Sequence, residues 1–203
     1  MACLRIAVVS TALLTLASHG VSAQTVEVQL SAGLYQPLTD QAHYTDPTTG
    51  QSSSYHPGSA LAMAGRVTAW LSPVFGIELS GVRASPTRGS SPSAIIMVAF
   101  DAVRRFHLGA LTEVRLAGGA ARIRVSGISY DTASVRLRTT TGGIKVAASV
   151  VRAIRPRLSV ALGIDDWIYQ LDEVRLAPSL VPSGTQVIRQ HDIVISFGLA
   201  ATF

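Results

Sequence analysis

The final stretch of the chain, Asp192 to Phe203 (DIVISFGLAATF), alternates without a break. Ile193, Ile195, Phe197, Leu199, Ala201 and Phe203 fall on one face of an extended chain, and Asp192, Val194, Ser196, Gly198, Ala200 and Thr202 on the other. A period of two held this long rules out a helix and requires a sheet with one apolar face. The same period returns through the chain: Val26 to Leu38, Ala60 to Leu71, Phe75 to Arg83, Ala94 to Val103, Leu111 to about Val125, a segment holding Ile144 to Val150 that ends near Val151, and Leu158 to about Tyr169. With the terminal stretch these make eight predicted strands.

The connections alternate in length. Thr39 to Ser59 and Ser85 to Ser93 are polar and rich in turn residues, whereas Ser72-Pro73 and Arg155-Pro156 mark tight breaks. A short turn through Arg104 to Gly109, a loop centred near Tyr130 and a long loop from Asp172 to Gln190 complete the set. Long, short, long, short is the rhythm of an even-numbered antiparallel barrel with short turns at one end and loops at the other. Both ends of the barrel chain then lie at the short-turn end.

At 203 residues the sequence is sized for one domain of ordinary length. It is 48% hydrophobic and 14% charged, yet beyond the first residues no run approaches the ~20 apolar residues of a spanning helix. Met1 to Ala23 reads as a secretory signal peptide, with Arg5 at its positive start, Ile6 to Ala17 as the apolar centre and Val21-Ser22-Ala23 as a small-x-small cleavage site. The expected mature chain, residues 24–203, is a single barrel domain. The only cysteine, Cys3, lies in the leader, which excludes a disulfide scaffold and thiolate chemistry in that mature chain. The net charge of +5 is spread along the chain rather than gathered in one run, so it is no nucleic-acid footprint, and it suits contact with anionic lipid head groups.

The alternating strands, the rhythm of the connections and the terminal Phe203 together resemble small bacterial outer-membrane β-barrels of the OmpA/OmpX type. The resemblance implies an all-β, eight-stranded antiparallel up-and-down transmembrane barrel, placed in the bacterial outer membrane after export through the periplasm. It further implies a monomer that presents four loops outward and carries Phe203 as the signal read by the barrel-assembly machinery. Alternation alone does not say which face is inside. A soluble lipocalin-like barrel, its apolar parity turned inward around an apolar ligand, fits the same pattern.

With the polar parity inward, the lumen collects Glu27, Arg66, Glu78, Asp101, Glu113, Arg115, Lys145 and Asp165. Eight strands leave an interior just wide enough for side chains. Opposite charges confined there are expected to pair, because an unpaired buried ion is costly, and to plug the bore. A narrow pore or ion path is the alternative.

No catalytic constellation is expected. His191 and Asp192 are adjacent and therefore point to opposite faces; Asp192 and Ser196 share a face that holds no histidine; His107 falls in a turn and His19 in the leader. His43, Asp46 and His56 share the first long loop, but their spacing matches no metal-ligand motif. No cofactor or metal site is predicted, and the expected role is structural or surface-binding.

The segment RIRVSGISYDTASVRLR, Arg122 to Arg138, is palindromic in residue type about Tyr130: Arg122 matches Arg138 and Arg124 matches Arg136. That symmetry suggests a hairpin rising above the membrane. Unbroken parity turns all four arginines outward, just past the outer edge of the hydrocarbon. Facing like charges repel unless an anion lies between them. The expectation is therefore a lipid head-group contact at Arg122, Arg124, Arg136 and Arg138, with lipopolysaccharide phosphate as the partner. A bulge at Gly118-Gly119 would instead flip Arg122 and Arg124 into the lumen.

Overall fold

The computed structural model describes residues 25–39, 42–45, 50, 52–55, 58–88, 91–128, 137–170, 186–187 and 189–203. The expected signal peptide, residues 1–23, lies outside them. The strands in chain order are β1 (Thr25–Pro37), β2 (Ala42–Thr45), β3 (Ser52–Tyr55), β4 (Ala60–Trp70), β5 (Phe75–Ala84), β6 (Thr87–Arg88), β7 (Ser91–Pro92), β8 (Ala94–His107), β9 (Thr112–Ile128), β10 (Leu137–Arg155), β11 (Leu158–Gln170), β12 (Gln186–Val187) and β13 (Arg189–Thr202). Eight of them close into one barrel in the order β1-β13-β11-β10-β9-β8-β5-β4, each antiparallel to its neighbours. The first and last strands seal it, and the backbone of Phe203 exchanges hydrogen bonds with that of Val26.

The stagger of the barrel can be read from its registers. Following partners around from Val28 leads through Val67, Leu79, Phe100, Ala120, Ile144, Ile168 and His191. The circuit returns to the first strand beside Leu38, ten residues above its starting point. That stagger tilts the strands steeply, and closure with only eight strands leaves a bore that side chains can fill.

The two faces separate as the alternation requires. Leu30, Leu61, Met63, Phe100, Val146, Leu162, Phe197 and Leu199 are exposed on the outer wall, whereas Glu27, Arg66, Glu78, Asp101, Lys145 and Asp165 are buried inside. An apolar belt around the whole wall is far larger than the patches that water-soluble monomers expose. The parity is thus the reverse of the lipocalin-like alternative, in which the apolar set would face inward.

Several boundaries differ from expectation. The fourth barrel strand, β8, continues past Val103 to His107, because Phe106, packed under the Arg104 guanidinium, keeps the outward period going. The loops also carry structure. β2 and β3 pair with each other, and β12 pairs with β2, so segments of the first and fourth long loops join in one sheet. β6 and β7 form a small hairpin in the second. Backbone hydrogen bonding takes precedence over polar composition in these segments.

Candidate functional site

The interior is layered. From the short-turn end upward, the inward positions of β9 read Glu113, Arg115, Ala117, Gly119, Ala121, Ile123 and Val125: charged below, small in the middle, apolar above.

In the lowest layer Arg115 grips two carboxylates. Its Nη1 and Nη2 donate to the two oxygens of Glu27, the second at 2.8 Å, and its Nε donates to Glu113 Oε1 at 2.6 Å. The fork geometry of the guanidinium is what lets one cation serve both acids. Arg105 lies over the Trp70 ring, 4.1 Å from its centroid, and reaches Glu113 at 3.9 Å; His107 reaches the same carboxylate at 3.8 Å. A cavity of about 180 Å³ opens beside these residues at the short-turn end.

The middle layer is a second network. Arg66 Nη2 donates to both oxygens of Asp165, at 2.6 and 2.8 Å, and its Nη1 lies 3.4 Å from Glu78. Lys145 Nζ, fully enclosed, lies 2.6 Å from Asp101, 2.6 Å from Ser80 Oγ and 3.3 Å from Glu78. Thr68 donates to Glu78 and Ser80 to Asp101, at 3.0 and 3.1 Å. Glu78 and Asp101 stand directly opposite each other on β5 and β8. Such a pair repels unless a cation serves both, as Lys145 does. Between the two networks is a void of only about 10 Å³, room for about one water molecule.

Above them the bore is apolar. Tyr35, Ile95, Met97, Ile123, Val125, Trp167 and Val194 pack together, each at most 1% exposed. Asp192 is buried among them and accepts hydrogen bonds from the hydroxyls of Tyr35 at 2.9 Å and Tyr169 at 2.7 Å. All eight residues assigned to the lumen from the sequence therefore fall in the two ionic networks. Two further charged residues of the interior stand outside that set: Arg105, in a stretch whose sequence reads as a turn, and Asp192, which the alternation of the last strand puts on the polar face but which sits above the ionic networks on two tyrosine hydroxyls.

The outer arginines follow a different geometry from the one expected. The registers run unbroken past Gly118 and Gly119 on both sides of β9, so no bulge turns the strand, and Arg122 and Arg124 face outward. The palindromic pairing does not form. Arg122 lies opposite Gly142 and Arg124 opposite Thr140, while Arg138 lies opposite Ser126 next to a register shift. Strand register answers to the inward set Ile123, Val125 and Lys145 rather than to the symmetry of the outward residues. Arg136 and Tyr130 lie outside the described residues, as do Asp46 and His56; of Arg138 and His43 only the backbone is described.

His191 points away from Asp192, as its parity requires, but it meets an acid across the strand pair: Nδ1 lies 3.0 Å from Asp166 Oδ2 on the outer wall. Adjacent-residue reasoning missed this contact because its two members lie on different strands.

No family model matches this sequence, and no curated protein matches it. Solved structures do. Neisserial surface protein A superposes with a TM-score of 0.59 at 12% identity, over 91% of this chain and 100% of that one. The outer membrane protein OprG of Pseudomonas aeruginosa gives 0.58 at 10% identity, over 91% and 98%. The N-terminal β-barrel domain of Pseudomonas aeruginosa OprF gives 0.56 at 12% identity, over 88% and 97%. The fold is that of the small eight-stranded outer-membrane β-barrels, a closed transmembrane architecture with no helix among the described residues.

Proposed function

We propose that the protein resides in the bacterial outer membrane as a sealed, monomeric barrel, with a structural role in the envelope and a surface-binding role for its loops. The observation that carries the reading is the filled bore beneath an apolar outer wall. Two ionic networks and an apolar layer occupy successive levels inside, above the cavity at the short-turn end, and this stacking supports a closed bore. In a narrow lumen, paired charges bridging β1, β4, β5, β8, β9, β10 and β11 act as a plug and as cross-braces. Phe203, exposed at the end of the closing strand, is suited to the assembly signal that the resemblance implies.

Planar-bilayer recording of the refolded protein tests the reading. The expected outcome is a flat baseline from protein that migrates at two positions on a gel, folded before boiling and unfolded after it. Discrete unitary steps would overturn the sealed-barrel reading in favour of a narrow pore.

A further inference from the structure

On the outer wall, β5 reads Phe75, Ile77, Leu79, Gly81 and Arg83 from the short-turn end upward, and β9 reads Leu116, Gly118, Ala120, Arg122 and Arg124. In both strands the first charge follows an apolar or small-residue run. The two strands flank β8, where Ile96 is the register partner of both Arg83 and Arg124, and Val98 that of Arg122. Arg83 and Arg124 thus stand two strand spacings apart, about 10 Å, with Arg122 one outward position, about 7 Å, below Arg124.

Arg83 and Arg122 are exposed and Arg124 is half-buried. None has a carboxylate or aromatic partner among the described residues. The contrast with Arg104 is informative: at the opposite rim its guanidinium lies over the rings of Phe75 and Phe106, at 5.4 and 4.9 Å. The only carboxylate on the outer wall among the described residues is Asp166, two strands from β9 and already in contact with His191. Three guanidinium groups without counter-charges among the described residues therefore edge an apolar wall whose nearest outward positions, Gly81, Val98 and Ala120, offer a smooth surface to acyl chains.

We infer that Arg83, Arg122 and Arg124 form a binding site for the phosphate groups of an acylated glycolipid of the lipid A class. This inference rests on the membrane reading above and deepens it. It replaces the four-arginine hairpin with a site that spans β8 and includes a strand the palindrome never pointed to. The guanidinium forks take phosphate oxygens in bidentate fashion, and the acyl chains lie on the wall below. The long-loop end selects the source, because in such barrels that end faces the exterior, where the phosphorylated glycolipid is found, and the short turns face the periplasm.

The test is native mass spectrometry of the full-length refolded protein in detergent, titrated with bisphosphorylated lipid A, monophosphorylated lipid A and phosphatidylglycerol. The wild type is expected to retain bisphosphorylated lipid A at least ~tenfold more strongly than either competitor, and R83Q/R122Q/R124Q to lose that preference by a similar factor. R104Q/R152Q, at the other rim, serves as the control and should keep the preference. The comparison of the three lipids on wild-type protein needs no variant and stands even if the triple substitution fails to refold. Equal retention of all three lipids, or a triple variant within about twofold of wild type, would overturn the site while leaving the barrel and its membrane intact. Protein that stays monodisperse in plain buffer without detergent would overturn the membrane reading itself.

Discussion

Lys145 reaches Asp101 across a position that has no side chain: Gly119 is the register partner of both, facing Asp101 on β8 and Lys145 on β10. A Cβ on Gly119 would run into the carbonyl of Phe100 and the Cα of Asp101. The glycine therefore serves two ends. It lets β8 and β9 coil tightly toward the bore, and it leaves open the path by which the ammonium meets its acid. Gly119→Ala is expected to destabilise the folded barrel by about 2–4 kcal/mol, combining a backbone displacement with a weakened buried ion pair. Urea unfolding in lipid vesicles, followed by tryptophan fluorescence of the enclosed Trp70 and Trp167, would measure it. A loss below ~0.5 kcal/mol would show that neither constraint holds.

Removing the cation itself should cost more than its share of the attraction. Lys145→Met leaves Glu78 and Asp101 opposite each other, with Arg66 still held by Asp165 and Glu78. An uncompensated buried charge of this kind costs about 3–5 kcal/mol. Adding Asp101→Asn removes one of the two repelling carboxylates, so the double variant should recover part of the loss, with a coupling energy of about 1–3 kcal/mol. Additive losses would mean that Lys145 does not hold the pair.

Period-two alternation made both the strands and the inward set legible, since a register slip of one residue would expose every lumen charge to the outer wall. Glu27, Arg66, Lys145 and Asp165 could be assigned to the bore for that reason. Their partners could not be, because the steep stagger brings together residues far apart in sequence, such as Glu27 with Arg115 and Arg66 with Asp165. The arginine palindrome misled for a related reason. Outward residues that contact no neighbour contribute little to register, so their symmetry carries no pairing information, and Arg83, on a strand outside the palindrome, went unnoticed. The loop sheet of β2, β3 and β12 left no readable pattern because its strands are two to four residues long and mostly polar, and because the β12–β2 pairing joins the first and last long loops.

Asp166 and His191 are polar residues on a wall whose outward positions beside Asp166, Val146 and Ile193, are apolar. Asp166 has Val146 and Ile193 as its register partners, both on the outer face, and its Oδ1 is buried without a hydrogen bond among the described residues. His191 lies two residues from the long-loop start of β13 and Asp166 four from the long-loop end of β11, so the pair sits toward the edge of the belt, where a charge costs less than at the bilayer centre. Either one alone should be a liability in lipid. Asp166→Leu leaves an imidazole without its acceptor, and His191→Leu leaves a carboxylate facing acyl chains, so each single change is expected to destabilise by about 1 kcal/mol. Replacing both by Leu removes the polar groups together and should give a barrel at least as stable as the wild type, because a paired polar site on an apolar surface commonly survives replacement by hydrocarbon. Urea unfolding of the three variants in vesicles decides the matter. A double variant less stable than both singles would mean that the pair, rather than the wall around it, holds β11 to β13 at the outer rim.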